Sequence, residues 1–273
     1  MTVIVYMVAG LSSRFGGKIK QFVKITDNET LIEYSLNQAL PAGFNKIIFI
    51  VSEKTYPEFK EKFGNSYFGV PIKYALQSYN QEKRDRPWGT VDALCSAQQL
   101  IEEPFIVCNG DDIYGEESFK ILFDHLKNQN NKNNNENATL GYKIGTVLPD
   151  TGKVNRGIFK IENSYVIHIE EVFDIEKNNL LEKNLTLESL CSMNIFALFP
   201  ETLEKLNKIL EKFKEKNKED RKIECLLPVE HSNLIKTKEI KMKIYTSKDK
   251  WMGITNPEDE ITIREMLKKL KSS

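Results

Sequence analysis

The sequence lacks several features that identify common classes of protein. Its 273 residues contain only four cysteines, which are widely spaced and form no Cys-x-x-Cys pair. This pattern argues against a zinc site or a disulfide framework and predicts reduced thiols. No apolar run approaches the ~20 residues that a membrane-spanning helix needs, and no basic residue precedes the short apolar run at the N-terminus. We therefore expect a cytoplasmic protein that is neither exported nor inserted into a membrane.

The sequence also lacks an excess of charge of either sign, since 39 basic residues balance 39 acidic ones. Balanced charge gives no global field to attract nucleic acid or an anionic membrane, so we expect neither as a partner. Any anion site must be local. The three histidines, His125, His168 and His231, have no Ser or Cys nucleophile motif nearby. We interpret them as structural or exposed residues.

A local anion site is predicted near the N-terminus. The apolar run Thr2 to Met7 is typical of a buried strand, and the small residues of the segment Val8 to Gln21 follow it directly. Glycines let backbone N–H groups approach an anion closely, and three cations supply charge: Arg14, Lys18 and Lys20. Similar residues occur in ordinary surface loops, but open α/β sheets bind ligands at the carboxyl ends of their strands. The spacing matches neither Gly-Lys-Ser/Thr nor Gly-x-Gly-x-x-Gly loops.

The first half of the sequence alternates apolar runs with helical periodicity. Four runs bounded by Gly, Pro or polar residues predict buried parallel strands: Val3 to Ala9, Lys46 to Val51, Ile72 to Leu76 and Phe105 to Cys108. Two segments between them predict helices: one from Leu31 that Pro41 and Gly43 end, and Thr90 to Ile101. This alternation predicts a doubly wound α/β sheet.

The second half is less regular. The stretch Asn128 to Asn137 contains almost only Asn, Lys and Glu, and predicts a solvated loop after a helix near Phe119 to Leu126. Three later segments predict an antiparallel meander: Ala138 to Thr146, Gly157 to Ile161 and Tyr165 to Ile169. Two predict amphipathic surface helices: Pro200 to Lys216 and Glu258 to Leu270.

Two adjacent carboxylates, Asp111 and Asp112, follow the predicted strand Phe105 to Cys108. Magnesium prefers hard oxygen ligands and usually takes one or two carboxylates together with substrate phosphates. Adjacent acids in a turn can also be solvated or cap a helix, here one that starts near Glu116. The two aspartates alone leave both interpretations open.

Several motifs together resemble one family. The segment Val8 to Gln21 resembles the N-terminal signature of sugar-1-phosphate nucleotidylyltransferases, in particular a subgroup reading Ala-Ala-Gly-Met-Gly-Ser-Arg-Tyr-Gly-Gly-Leu-Lys-Gln. The gap before the lysine is one residue longer here, and Lys20 matches the family lysine because Gln21 follows it. Four further stretches agree in order: Gln77, Arg86 to Ala93, Pro104 to Gly115, and Leu190 to Asn194 with Lys250 to Thr255. The resemblance covers nearly the whole chain.

The resemblance implies a three-layer fold with a doubly wound mixed, mainly parallel sheet, similar to the nucleotide-diphospho-sugar transferase or GT-A type, and a small antiparallel insertion on the sugar side. It implies a single domain over residues 1–273. Residues 1–127 would form the nucleotide-binding half, 128–137 the Asn-rich loop and 138–273 the sugar-binding half. A homo-oligomer is compatible with the family.

The resemblance also implies an activity. The phosphate of a hexose 1-phosphate, such as glucose 1-phosphate or N-acetylglucosamine 1-phosphate, attacks the α-phosphorus of UTP or dTTP, and pyrophosphate leaves. Because the nucleophile is already anionic, catalysis needs positioning and charge neutralisation rather than a general base. The family positions give Arg14 a contact to the triphosphate, Lys20 a bridge between both substrates, and Asp111 the role of Mg²⁺ ligand.

Binding residues follow from the same resemblance. The nucleotide would contact Ala9, Gly10, Leu11, Ser12, Gln77, Gly89 and Thr90. The sugar would contact Asn155, Gly157, Glu171, Asn194 and Glu224. An amide such as that of Gln77 can pair with a pyrimidine edge, and its rotation could meet cytosine, so CTP is the expected exception to a preference for UTP and dTTP.

Two positions depart from the family pattern. Gly253 stands where a second carboxylate is usual, although the subgroup also tends to have glycine there, and Val172 replaces the lysine that usually follows the Glu171 position. Recognition of the sugar phosphate then falls to Lys20 or another cation. A glycosyltransferase also uses an acidic metal motif, but it needs no basic loop to contact pyrophosphate. A non-catalytic sensor of sugar nucleotides is the third hypothesis, and Gly253 and Val172 alone support it.

Overall fold

A mixed ten-stranded sheet runs through the protein. The computed structural model describes residues 1–10, 19–131, 135–149, 152–254 and 259–271. The strands in these ranges are β1 (Val3–Met7), β2 (Lys46–Val51), β3 (Ser66–Tyr67), β4 (Val70–Leu76), β5 (Phe105–Asn109), β6 (Asp112–Ile113), β7 (Asn137–Lys143), β8 (Val154–Glu162), β9 (Tyr165–Ile175), β10 (Leu190–Leu198), β11 (Met242–Tyr245) and β12 (Met252–Gly253). The sheet order is β3-β4-β2-β1-β5-β10-β7-β11-β9-β8, and β6 pairs separately with β12.

The first half of this sheet is parallel. Strands β4, β2, β1 and β5 run in one direction, with β1 between β2 and β5. Strands β1, β2 and β5 are almost entirely apolar, as expected for strands that are buried on both faces, whereas β4 exposes Pro71, Lys73 and Leu76. The four strands that the sequence predicts here are confirmed, with ends that differ by at most two residues.

The second half differs from the sequence-based expectation. Strand β10 pairs antiparallel with both β5 and β7, and β7 in turn pairs parallel with β11. The predicted meander is therefore wrong for its first strand, because β7 is a buried strand inside the sheet; only β8 and β9 form a long antiparallel hairpin. A mainly parallel sheet describes the first half alone.

Helices cover both faces of the sheet. They are α1 (Leu31–Ala39), α2 (Tyr56–Phe63), α3 (Thr90–Ser96), α4 (Glu116–Asn131), α5 (Ile144–Val147), α6 (Pro200–Lys216), α7 (Leu227–Lys236) and α8 (Asp259–Lys271). Alternate residues of β1 point into two cores: Ile4 and Tyr6 pack with α1, α2 and α4, whereas Val3 and Val5 pack with α3, α6 and α7. A third cluster packs α8 against β6 and β12.

The Asn-rich segment is shorter as a loop than predicted. Helix α4 continues to Asn131, and β7 already begins at Asn137. The stretch from Glu116 to Asn131 contains no glycine or proline, so nothing in the sequence stops the helix after its last apolar residue.

The fold buries the thiols of Cys108, Cys191 and Cys225, and no disulfide joins the four cysteines. His231 is fully buried against the ring of Phe196, and burial lowers its pKa to about 3. It is therefore neutral at physiological pH. None of the described helices combines the length and the apolar character needed to cross a membrane.

We expect Phe49→Ala to lower the free energy of unfolding by about 3–5 kcal/mol, because it opens a cavity in the first core. The Phe49 ring is fully buried, with ring centroids of Phe59 and Phe63 at 5.0 and 5.2 Å. Urea denaturation measures the change. Phe173→Ala is the control, since that ring is 58% exposed and should change stability by less than about 0.5 kcal/mol. Equal effects of the two variants would contradict this account of the core.

Candidate active site

The carboxyl ends of the parallel strands meet at one edge of the sheet, where they surround a cavity. The residues that follow three of these strands line it: Ala9 and Gly10 after β1, Ser52 to Lys54 after β2, and Gln77 after β4. The cavity has a volume of about 340 Å³, and the segment Asp85 to Pro87 closes its other side. We call it the strand-end cavity. Of the predicted nucleotide contacts, Ala9, Gly10 and Gln77 line this cavity, whereas Gly89 and Thr90 do not.

The side-chain amide of Gln77 has a fixed orientation in this cavity. Its Nε2 lies 2.8 Å from Asp92 Oδ2 and 3.3 Å from the carbonyl oxygen of Gly89, so both amide hydrogens have acceptors. Asp92 is buried, and its other oxygen lies 2.5 Å from Lys214 Nζ on α6. A carboxylate paired with lysine only accepts hydrogen bonds, which keeps Nε2 on the Asp92 side. Oε1 is left as a free acceptor. Rotation of the amide towards cytosine would give up the hydrogen bond from Nε2 to Asp92.

The backbone conformation and the close neighbours of residue 89 leave room only for glycine. Its φ is +99°, and a Cβ there would lie 2.6 Å from the carbonyl oxygen of Cys225. The two segments bond closely, since Cys225 N–H donates to Trp88 O at 2.7 Å and Val91 N–H donates to Cys225 O at 3.1 Å. Leu227 N–H also donates to Thr90 Oγ1 at 2.9 Å. Gly89 and Thr90 therefore join the first half of the site to the segment that leads into α7.

Two residues predicted to be catalytic form an ion pair. Lys20 begins a single 3₁₀ turn, Lys20–Phe22, and its Nζ contacts Asp111 Oδ2 in the turn that follows β5. Both side chains are about one-fifth exposed, at 20% and 22%. A cation and a carboxylate thus face each other beyond the carboxyl end of β5 and remain partly exposed.

Asp112 is buried next to this pair and belongs to a polar network. Its Oδ2 accepts hydrogen bonds from Asn109 Nδ2 at 2.9 Å and from the Tyr114 hydroxyl at 3.1 Å. Burial and, secondarily, the neighbouring charge of Asp111 raise the pKa of Asp112 to about 7. Sequence reasoning gave Asp112 a minor role, but the structure places its carboxylate at the centre of the site.

The glycine at the usual second carboxylate position has a packing reason. Gly253 lies opposite Asp112 in the β6–β12 pair. A Cβ at Gly253 would lie 2.6 Å from Asp112 Oδ1 and 2.4 Å from the Trp251 ring. The space for a side chain at this position is already filled by Asp112 and Trp251.

A second cavity, of about 250 Å³, has Thr90 in its wall. We call it the hairpin cavity, because β8 and β9 contribute to its wall. The predicted sugar-binding residues that line it are Asn155, Gly157, Glu171 and Asn194, with Asn109 and Asp112 at its inner end. Four of the five predicted sugar contacts therefore come together.

In this cavity, Glu171 has a raised carboxyl pKa and Asn194 has a left-handed backbone conformation. Glu171 accepts no hydrogen bond from another described residue; burial raises the pKa of its carboxyl, and the charge of Arg156 opposes that rise. Asn194 has a φ of +55° at an irregularity of β10 between Ser192 and Phe196. A residue other than glycine in the left-handed region carries strain of about 1–3 kcal/mol, which is commonly found at binding sites.

Some predicted residues lie elsewhere. Glu224 pairs with Arg86 Nη1 at 3.1 Å and does not line the hairpin cavity. Leu11, Ser12 and Arg14 lie outside the described residues, so their roles stay predictions.

Two residues of the site escaped sequence reasoning: Asp92 and Trp251. Each lies within or beside a motif that the sequence analysis singled out. Their positions in those motifs were the available signal, but their contacts depend on partners far away in the sequence.

Comparison with known proteins identifies the family. The sequence matches the model of the nucleotidyl transferase family over residues 16–269. The chain belongs to the nucleotidyl transferase family. This nucleotidyltransferase has no match among curated protein sequences.

Solved structures share the fold of this nucleotidyltransferase. One is from Bacillus anthracis, provisionally assigned as a glucose-1-phosphate thymidylyltransferase, with a TM-score of 0.70, 14% identity, and coverage of 97% of this chain and 95% of that one. The inositol-1-phosphate CTP transferase from T. maritima has a TM-score of 0.68 and 15% identity, covering 99% and 96%. A UDP-glucose pyrophosphorylase bound to UDP-glucose has a TM-score of 0.68 and 16% identity, covering 98% and 99%. Identities this low establish a common fold.

We expect Gly89→Ala to destabilise the enzyme more than Gly69→Ala and to weaken nucleotide binding. Both glycines have positive φ, +99° and +80°, but a Cβ at Gly69 meets nothing within 4 Å. Gly69→Ala therefore measures only the cost of placing alanine at a positive φ, about 1–2 kcal/mol. Gly89→Ala adds the steric overlap of the new Cβ with the Cys225 backbone. Thermal unfolding with and without UTP measures both effects. Equal melting temperatures and equal shifts with UTP would show that the approach of Cys225 is not needed.

Proposed function

We propose that this enzyme transfers a uridylyl or thymidylyl group from UTP or dTTP to a hexose 1-phosphate, either glucose 1-phosphate or N-acetylglucosamine 1-phosphate. The products are a nucleoside-diphosphate sugar and pyrophosphate. The observation that carries the proposal is the pair of cavities, one lined by Gln77 and the other by Thr90 and Asp112, together with the ion pair of Lys20 with Asp111, the residue before Asp112. This arrangement suits two phosphorylated substrates that react between the cavities.

The chemistry needs only groups that the site offers. A phosphate oxygen of the hexose 1-phosphate forms a bond to the α-phosphorus of the triphosphate. The bond from that phosphorus to the bridging oxygen breaks, and pyrophosphate leaves with the electron pair. Because the attacking oxygen is already anionic, no general base is required. Lys20 would draw the two anions together, and Arg14 stays the predicted contact to the leaving pyrophosphate.

A divalent cation fits the carboxylates. The described residues contain no group of three or more metal-binding side chains, so a closed protein cage for a metal does not occur among them. Magnesium usually keeps water and phosphate ligands and takes one or two carboxylates. We propose that Asp111 holds Mg²⁺, with Asp112 beside it. The ion would neutralise charge on the triphosphate.

The fixed amide of Gln77 supports uracil or thymine as the base. Its free Oε1 can accept the N3–H of either base, whereas N3 of cytosine carries a lone pair and would repel it. The fold alone does not select the base, because the structural relatives include a thymidylyltransferase, a CTP transferase and a protein complexed with GMP-PN. The choice of UTP or dTTP therefore rests on Gln77.

Two alternative functions lose support. The nucleotidyl transferase family does not favour a glycosyltransferase. The sensor hypothesis rested on Gly253 and Val172, and close packing against Asp112 and Trp251 accounts for the glycine at 253.

Calorimetry with UTP, dTTP, CTP, ATP and GTP in the presence of magnesium tests the base. We expect UTP and dTTP to bind most tightly and to differ by about 10–200-fold, since one methyl group discriminates weakly. Pyrophosphate release with each hexose 1-phosphate then tests the reaction. Tightest binding of ATP or GTP would overturn the pyrimidine assignment.

The variant Asp92→Asn tests whether Asp92 sets the base preference by orienting the Gln77 amide. Without a carboxylate beside Nε2, the Gln77 amide is free to rotate, and the preference for UTP over CTP should shrink by about 10-fold, the value of one hydrogen bond to a charged group. Asp124→Asn is the control, because Asp124 pairs with Lys120 on the exposed face of α4. An unchanged UTP to CTP ratio in Asp92→Asn would show that Asp92 does not orient the amide.

We expect Asp111→Asn to abolish magnesium-dependent pyrophosphate release, and Asp112→Asn to weaken it less. Asp111 is the accessible carboxylate, whereas the Asp112 oxygens already contact Asn109 and Tyr114. Turnover measured against magnesium concentration distinguishes the two, with circular dichroism to establish that each variant is folded. If Asp112→Asn were the more damaging change, Asp112 rather than Asp111 would be the principal ligand.

A further inference from the structure

An arginine with unused hydrogen-bond donors lines the hairpin cavity. Arg156 lies on β8, and its Nη1 donates to the carbonyl oxygen of Asn155 at 3.0 Å. Its Nε is buried and has no hydrogen-bond partner among the described residues. Glu171, an acid in the same cavity wall, forms no ion pair with it. A buried donor without a partner is costly, which indicates that a ligand completes the bonding of this guanidinium.

A second donor in the same cavity lacks a partner. The indole Nε1 of Trp251 is buried and bonds to no described residue. The Trp251 ring lies 5.8 Å from the Arg156 guanidinium carbon. Arg156 and Trp251, each with one unpaired donor, line the hairpin cavity together with Glu171, and both also line a neighbouring cavity beside Gly253. The donors suit an anionic group rich in oxygen, and Glu171 suits a hydroxyl group beside it.

The strand register relates Arg156 to the missing family lysine. Arg156 lies directly opposite Val172 in the β8–β9 hairpin. Directly opposite residues of an antiparallel pair point to the same face, with Cβ atoms about 5 Å apart. The cation that Val172 removes from one strand is therefore present on the facing strand.

We propose that Arg156 binds the phosphate of the hexose 1-phosphate in place of the lysine that Val172 replaces. This inference rests on the proposed function and names the residue that holds its acceptor substrate. The planar guanidinium can bind two phosphate oxygens with two N–H donors in a fixed geometry, whereas a lysine acts as a compact point charge. The third terminal oxygen then stays available for attack on the α-phosphorus, and Glu171 accepts a hydrogen bond from a sugar hydroxyl.

Kinetics of pyrophosphate release test the assignment. We expect Arg156→Ala to raise the KM for the hexose 1-phosphate by at least ~30-fold, because it removes a charged partner from an enclosed site, and to leave the KM for UTP within about 3-fold. Lys160→Ala is the control: this cation lies on the same strand but pairs with Glu170 at 2.8 Å outside the cavity. An equal rise of both KM values, or no rise, would overturn the proposal.

A second experiment tests whether a cation at position 172 can replace Arg156. The double variant Arg156→Ala/Val172→Lys returns a positive charge to the opposite strand. We expect it to recover the KM for the hexose 1-phosphate to within about 5-fold of the wild-type value. Failure to recover in a folded double variant would show that the two positions do not serve the same phosphate.

A binding measurement separates this inference from the proposed reaction. Trp88 and Trp251 are the only tryptophans, so Trp88→Phe makes the fluorescence report on Trp251 alone. We expect glucose 1-phosphate or N-acetylglucosamine 1-phosphate, with or without UTP, to change this emission saturably, whereas the unphosphorylated sugars do not. Arg156→Ala in this background should weaken the response at least ~30-fold. This result would support the phosphate site even if no pyrophosphate were released. No response, or an equal response without Arg156, would overturn it.

Discussion

The parallel pairing of β1 with β2 and β5 is the constraint on which the site depends. Met7 lies opposite both Ile50 and Asn109, so all three strands leave the sheet at one level. The pairing continues one residue further, since Gly110 N–H donates to Met7 O at 3.1 Å. A Cβ at Gly110 would lie only 2.2 Å from Val8 Cγ1. This close approach holds the start of the basic loop against the turn that carries the two aspartates.

Backbone and side-chain contacts together join the two halves of the site. The segment around Cys225 bonds through its backbone to the turn at Gly89, and β10 inserts beside β5. The Thr90 hydroxyl accepts the N–H of Leu227, and Lys214 pairs with Asp92. At both positions that depart from the family pattern, an ionisable residue lies directly across the sheet: Arg156 opposite Val172 and Asp112 opposite Gly253.

Local pattern predicted the parts of the fold that depend on local burial. Continuous apolar runs identified the four parallel strands, whereas the resemblance to the family singled out Lys20 and Asp111, which the structure brings into contact. The partners of β7 were not predictable in this way, because strand pairing depends on β10 and β11, which come much later in the chain. Asp92 escaped notice for the same reason: its importance depends on Lys214, far along on α6.

The Tyr114 hydroxyl has one hydrogen but two acceptors. It lies 3.1 Å from Asp112 Oδ2 and 2.8 Å from the carbonyl oxygen of Met193, and it also accepts the N–H of Asn109 at 3.2 Å. When Asp112 is ionised, the hydroxyl can satisfy only one of the two oxygens. When Asp112 is protonated, it can donate to Tyr114, which then donates to Met193, and every group is satisfied. The protonation state of Asp112 therefore decides which hydrogen bonds Tyr114 makes to β10. This is the strand that places Asn194 in the wall of the hairpin cavity.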